Sequence, residues 1–234
     1  MNANKRNNQK ELDKKIEEIT RCEYVPRLLL HSCCAPCSSY VLEYLSSYFK
    51  ITIFFYNPNI SPEAEYVKRV EELHRLVSEL PAAYPIKIID GIYEPGIFFE
   101  MARGLETVPE GGERCFACSR LRLEETARIA REQEFDYFTT TLSISPLKNA
   151  EKLNNIGEEL AGIYHVDYLH SDFKKKNGYK RSIELSDQYG LYRQDYCGCI
   201  YSKQERERHK QDIIGKCSIQ SEVPADDTAK SAEE

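Results

Sequence analysis

The sequence has no long hydrophobic run. Its longest candidate, ITIFFY at 51–56, is six residues in a chain of 234, whereas spanning a bilayer takes about 20 apolar residues. A membrane-spanning protein is therefore excluded. The polar start, MNANKRNNQK, lacks the apolar core of a secretory peptide, so a cytoplasmic location is expected. Positive charge is not in excess either. Lys plus Arg number 32 against 38 Asp plus Glu, a net of −6, which taken alone argues against a polyanionic partner. No internal repeat is visible. Aromatic residues are not lacking, at 11%, which speaks against a wholly disordered chain. The length allows one large or two small domains with a core.

Cysteine is plentiful by contrast. Nine cysteines fall short of a disulfide scaffold, which runs above about 8–10%. In a reducing compartment, thiols at this density point to metal binding or redox chemistry.

The charge is unevenly spread. The last fourteen residues, SEVPADDTAKSAEE, hold five acids and one lysine and read as part of a disordered acidic tail spanning 217–234. Residues 171–216 carry eleven Lys or Arg against seven Asp or Glu. A local basic surface or a merely solvated face both fit that excess.

Along the chain, 5–21 is a polar helical stretch with Leu12, Ile16 and Ile19 on one stripe, so residues 1–26 read as an N-terminal helical extension. Strands are expected at 27–32, 51–56, 85–90, 135–141 and 163–169. Helices are expected near 38–49, 61–80, 94–102, 119–133 and 147–161. Ser61 would cap the second of these with Pro62 at its first position, and Val67, Val70, Leu73, Leu76, Val77 and Leu80 keep helical spacing. Alternating strands and helices imply βαβ units and a mostly parallel sheet. Residues 27–216 would form one α/β domain. After residue 170 the pattern is lost, leaving loops and helices to close over the sheet. HSCCAPC, YNPN, DG and TTTLSISP each follow a strand, so all four loops should meet at the carboxyl edge, where open α/β sheets bind ligands.

Seven cysteines fall in three clusters: Cys33, Cys34 and Cys37; Cys115 and Cys118; Cys197 and Cys199. Cys34–Cys37 and Cys115–Cys118 are C-x-x-C pairs, each just before an expected helix, where the helix N-terminus favours thiolate. Two such pairs are a strong metal signal. Zinc needs four ligands in a closed site, whereas seven thiols with Cys33 adjoining Cys34 suit several metal atoms, so spacing leaves zinc and iron–sulfur both open. Cys197-Gly198-Cys199 reads either as a dithiol passing two electrons or as two further ligands. Cys22 and Cys217 lie alone and read as bystanders. His31, Asp172, Asp195 and Tyr196 adjoin these segments as candidate proton donors or ligands, or as hydrogen-bonded structural groups. Asn57 and Asn59 orient a ligand or form a turn, and Thr141 and Ser143 face a ligand or cap the next helix.

HSCCAPCSSY (31–40), YNPNISPEAEYVKR (56–69), GGERCFAC (111–118), FTTTLSISPLKN (138–149) and DFKKKNGYKRSIELSDQYGLYRQDYCGC (172–199) together resemble the QueH family of epoxyqueuosine reductases. The resemblance covers about 27–203. It implies an oxidoreductase that removes the epoxide oxygen of epoxyqueuosine at the tRNA wobble position without cobalamin, the last step in making queuosine. It implies a [4Fe-4S] cluster, carried over by motif to Cys33, Cys34, Cys115 and Cys118, with Cys197 and Cys199 as a redox pair. Cys37 is then left over, for an additional iron shared with Asp172 or for exchange with Cys34. The strand–loop–helix start is similar to Rossmann-like folds of the PP-loop (HUP) type, although CCAPC replaces their phosphate loop. Asp172, Asp195 and Tyr196 are the candidate acids. Lys174, Lys175, Lys176, Lys180 and Arg181, with Lys203, Arg206 and Arg208, are candidate phosphate contacts for the tRNA. The resemblance names no electron donor. The rivals are a zinc-binding RNA or protein module and an iron–sulfur tRNA thiolation enzyme.

Overall fold

Leu28, Leu29 and Leu30 are all fully buried, which happens when a strand is covered on both faces, as in an all-parallel sheet. The computed structural model describes residues 6–220, with the side chains of 214–220 left aside. In chain order the elements are α1 (Asn8–Thr20), β1 (Arg27–His31), α2 (Ala35–Leu45), β2 (Lys50–Phe55), α3 (Glu63–Glu79), β3 (Lys87–Asp90) and α4 (Pro95–Ala102). Then come α5 (Glu113–Glu132), β4 (Tyr137–Thr140), a 3-10 turn (Thr141–Ile144), α6 (Ala150–Tyr164), β5 (Asp167–Tyr168), α7 (Gly178–Gln188) and α8 (Ile200–Gln220). The five strands are parallel in the order β3-β2-β1-β4-β5, a Rossmann-like α/β fold. No described helix is long and apolar enough to cross a membrane.

Alternation along β1 divides the core. Leu28 and Leu30 face a cluster with Val41 and Leu42 of α2, Leu73 and Leu76 of α3, and Leu12 and Ile16 of α1. Leu29 faces the other side, with Leu123 of α5 and Leu153 and Leu160 of α6. Each such buried leucine contributes about 1.5–3 kcal/mol. The N-terminal helix thus packs into the main core.

Several boundaries differ from expectation, each for a local reason. The α3 helix starts at Glu63 with Pro62 as its cap residue and no side-chain cap bond, and the Ser61 N–H donates instead to the Gly198 carbonyl at 2.9 Å. Its buried face is Tyr66, Arg69, Leu73 and Leu76, and Val67 is exposed. The α5 helix starts at Glu113, since the Gly-rich turn ends with extended Gly112, so Cys115 and Cys118 lie inside its first turns and not before them. The α6 helix runs through Tyr164 and ends at left-handed His165, which shortens β5 to two residues. Neither Thr141 nor Ser143 caps α6; Asn149 does, accepting from the Lys152 N–H. The acidic stretch 221–234 and the side chain of Cys217 lie outside the described residues.

The segment beyond 170 supplies α7 and α8, with α7 against α2. That contact demands Gly178: a Cβ there would sit 2.0 Å from the Phe173 carbonyl and 2.4 Å from the Tyr40 ring.

Candidate active site and thiolate centre

β1 pairs with β2 on one side and β4 on the other, so the crossovers leaving it diverge and open a cleft beyond the ends of β1 and β4. The floor of that cleft is fixed by His31. Its Nδ1 meets the Thr140 hydroxyl at 2.9 Å and its Nε2 the Tyr56 carbonyl at 3.2 Å. The Tyr56 carbonyl can only accept, so Nε2 carries the proton, and in the neutral ring Nδ1 accepts from the Thr140 hydroxyl, whose Oγ1 also accepts from the Leu142 N–H. Burial, then the charge of Arg122, lowers His31 to about 3. His31 is therefore a structural tie between three strand ends. Asn57 is another tie, donating to the Ser32 carbonyl and accepting from Arg122. Asn59 is buried, and neither of its amide atoms has a partner among the described residues.

Directly after β1, Cys34 is the cap residue of α2 and carries no side-chain cap bond, so the helix N-terminus faces the thiols. The sulfurs of Cys33, Cys34 and Cys37 all lie within 4.8 Å of one another, and Cys33 Sγ is 3.9 Å from the Thr141 hydroxyl across the cleft. Hydrogen bonds from Cys34 and Cys37 hold Cys33 well below the usual thiol range, while the same Cys33 contact pushes Cys34 up to about 12. Left to itself, the trio holds one negative charge easily and resists a second. A thiophilic cation removes that resistance, and three converging sulfurs are a fitting donor set for one.

A cavity of about 440 Å³ opens above the trio. Pro36, Leu142, Pro146 and Leu147 give it apolar walls, and Tyr179, Arg193, Gln194, Asp195, Tyr196, Cys197 and Arg206 line the C-terminal side. The 192–198 segment is clamped by α3. Glu72 accepts from the Tyr192 N–H at 2.8 Å, Glu65 accepts from the Tyr192 hydroxyl at 3.1 Å, and Arg69 donates to the Cys197 carbonyl at 3.3 Å. Gly198 (φ +110°) is required there, as a Cβ would meet Arg69 Nη1 at 2.9 Å.

The other cysteines come from α5 and from the turn before α8. Cys118 and Cys199 are buried with Phe98 and Ala102, and burial pushes Cys118 up to about 11. Cys115 Sγ accepts from the Gly111 N–H at 3.3 Å. Burial opposes the charge of Arg122, yet Cys118, Cys197, Cys33 and Cys115 together raise it above its ordinary value. Thiols from all three sequence clusters therefore bear on one guanidinium. Cys22 is exposed and apart.

The candidate acids separate. Asp195 is ion-paired with Lys210 at 2.7 Å and Arg206 at 3.5 Å, which keeps it below the usual carboxylate range and suits it to accept rather than donate protons. Burial, then Glu65, raises Tyr196, which stays protonated on the cavity wall. Asp172 does not line this cavity. It lies in a neighbouring one, 3.0 Å from Lys174, with half-buried Lys148 lining both. Among the basic candidates, Lys174 also donates to the Ser143 carbonyl, Lys176 pairs with Asp13, and Arg181 pairs with Glu43 and Glu184. Lys175 and Lys180 are exposed with no ion pair to another described residue. Arg69, Arg114, Arg122, Lys148 and Arg193 were not singled out from the sequence. The available signal was an arginine at a core position of a helix, as at 69, 114 and 122.

Fold and site define a Rossmann-like α/β protein with a thiol-floored cleft able to take a metal. The chain matches the family model described as "Epoxyqueuosine reductase QueH" over residues 28–205. It is 45% identical over 206 residues to the Staphylococcus epidermidis protein of that name, covering 86% of this chain and 87% of the relative. It is 43% identical to the Streptococcus pyogenes protein (86% and 80% covered) and 35% identical to that of Thermotoga maritima (81% and 96% covered). The chain belongs to the QueH family of epoxyqueuosine reductases, which are oxidoreductases.

Proposed function

We propose that this protein reduces epoxyqueuosine to queuosine in the anticodon loop of tRNA, at the thiol-floored cleft and without cobalamin. The carrying observation is that Cys33, Cys34, Cys37 and Cys197 line one cavity at the divergence of β1 and β4 in a chain of this family. The reaction balances as epoxide plus two electrons and two protons giving alkene plus water. The ligand assignment is a [4Fe-4S] cluster on Cys33, Cys34, Cys115 and Cys118, with Cys37 available to an additional iron. Asp172, paired with Lys174 in the next cavity, is left out of that set. When bound, such a centre supplies single electrons and a Lewis-acidic iron to the epoxide oxygen.

The chain's own residues supply the rest. An anticodon base is already single-stranded, so splaying it into the cavity costs little unpairing. The walls at Pro36, Leu142, Pro146 and Leu147 receive the base and exclude water, while Tyr179 and Tyr196 offer ring faces and hydroxyls. The Tyr196 hydroxyl holds a proton for the departing oxygen. Cys197 and Cys199, both free thiols here, store two electrons as a dithiol. Arg193, Lys175 and Lys180 meet backbone phosphates.

The test is to purify the protein anaerobically, measure iron, sulfide and zinc, and incubate it with epoxyqueuosine tRNA and a chemical reductant. Nucleoside mass spectrometry is expected to show loss of one oxygen from the modified nucleoside. Iron-loaded protein that leaves epoxyqueuosine untouched, or protein holding only zinc, would sink the proposal.

A further inference from the structure

The α5 helix carries two guanidiniums that the interior leaves without an acid. Arg114 and Arg122 are each 1% exposed. Cys118 lies midway between them in the sequence, so the three residues share one stripe of the helix. Arg114 Nη1 donates to the carbonyls of Leu105, Glu106 and Val108, and its guanidinium lies 4.9 Å from the centre of the Tyr201 ring. Its Nε and Nη2 have no hydrogen-bond partner among the described residues. Arg122 donates from Nε to the Cys118 carbonyl at 3.2 Å and from Nη1 to the Asn57 amide oxygen at 3.3 Å. Both acceptors are neutral. Neither arginine forms an ion pair with a described carboxylate, unlike Arg69 with Glu65 at 2.7 Å and Lys148 with Glu110 at 3.7 Å.

Leaving a buried ion without a counter-charge costs a large fraction of a marginally stable fold's free energy. Thiols are the acidic groups that bear on Arg122, beside neutral His31 and the Lys148 ammonium, while Arg114 shares a surface cavity with Glu106 and Glu205 and lies over Tyr201, which packs against Cys118 and Cys199. Cys118, Cys197, Cys33 and Cys115 bear on Arg122, and Arg114 bears on Cys199. We propose that Arg114 and Arg122 are the buried counter-ions of a thiolate centre whose net charge is about −2, one for each guanidinium, and that they set its reduction potential. Resting on the metal-thiolate reading above, this adds the sign and size of the charge the protein is built to hold. A fixed cation stabilises whichever oxidation state is more negative, so each arginine raises the potential. Neither touches substrate; both act as positioning and electrostatic residues for the sulfurs.

The experiment uses the anaerobically purified full chain and its variants Arg122→Gln, Arg122→Lys, Arg114→Gln and Arg114→Lys. Iron and sulfide per chain are measured, and the midpoint potential is read by optical titration. The Gln variants are expected to keep metal and to shift negative by at least a tenfold change in the reduced-to-oxidised ratio, about 59 mV for a one-electron couple. The Lys variants recover most of that shift. If the Gln variants do not fold, Asn57→Asp places a neutralising carboxylate at Arg122 Nη1 and is expected to shift the same way. Metal-loaded variants at the wild-type potential overturn this inference and leave the metal reading intact. Wild-type protein without metal overturns both.

Discussion

Cys33, Cys34 and Cys37 come from one short stretch at the start of α2, with sulfurs within 4.8 Å of each other beside an open cavity. Cys115 and Cys118 come from α5 and Cys199 from the turn before α8, and the last two are buried against Phe98 and Ala102 of α4. A local turn builds the first group, whereas the second exists only when three distant segments dock. The trio should therefore report on local chemistry and the second group on tertiary structure.

The largest effect tests whether the two groups serve one centre. With a shared cluster, Cys34→Ser and Cys118→Ser each remove nearly all bound iron and lower turnover by at least about 100-fold. Iron analysis showing half retained in each would mean two independent sites. A smaller effect isolates the docking. Glu72→Ala deletes the acceptor that holds the Tyr192 N–H, a loss of about 1–3 kcal/mol. Cys197 should then alkylate faster while Cys33 does not, as read by mass-resolved labelling. The pH sign follows. Arg75, then the Tyr192 N–H, holds Glu72 below its ordinary 4.5 against a burial effect that raises it. The clamp is thus complete above pH 4.5 and is lost as pH falls through the lowered value. The smallest effect extends the contrast to the cations. Lys175→Ala or Lys180→Ala is expected to lower the salt slope of tRNA binding by about 1 each. Lys176→Ala, already paired with Asp13, should change it less, and equal slopes would return all three to a solvated face.

The parallel sheet and the meeting of loops at its carboxyl edge were legible because apolar runs, Gly and Pro punctuation and the C-x-x-C spacings are local signals. What was not legible depends on pairing at a distance. The run at 171–181 looks like an open basic face, yet Lys176 and Arg181 are matched by Asp13 and Glu43, acids far away in sequence. Arg114 and Arg122 look like ordinary charges on a polar helix until folding removes them from water. Asp172 adjoins the basic run in sequence but folds into the neighbouring cavity. The start of α5 is hidden in the sequence because Arg114, an arginine at a core position, interrupts the apolar stripe.

The width of the cleft owes nothing to sulfur. It comes from the path of the chain, because β1 is flanked by neighbours reached in opposite directions, and around the thiols the lining is proline, leucine, tyrosine and charged side chains. Under the proposed function, binding and electron transfer thus rest on different parts of the molecule. A chain stripped of its pocket thiols would then keep the mould and lose the reagent, becoming a trap for the unreduced tRNA.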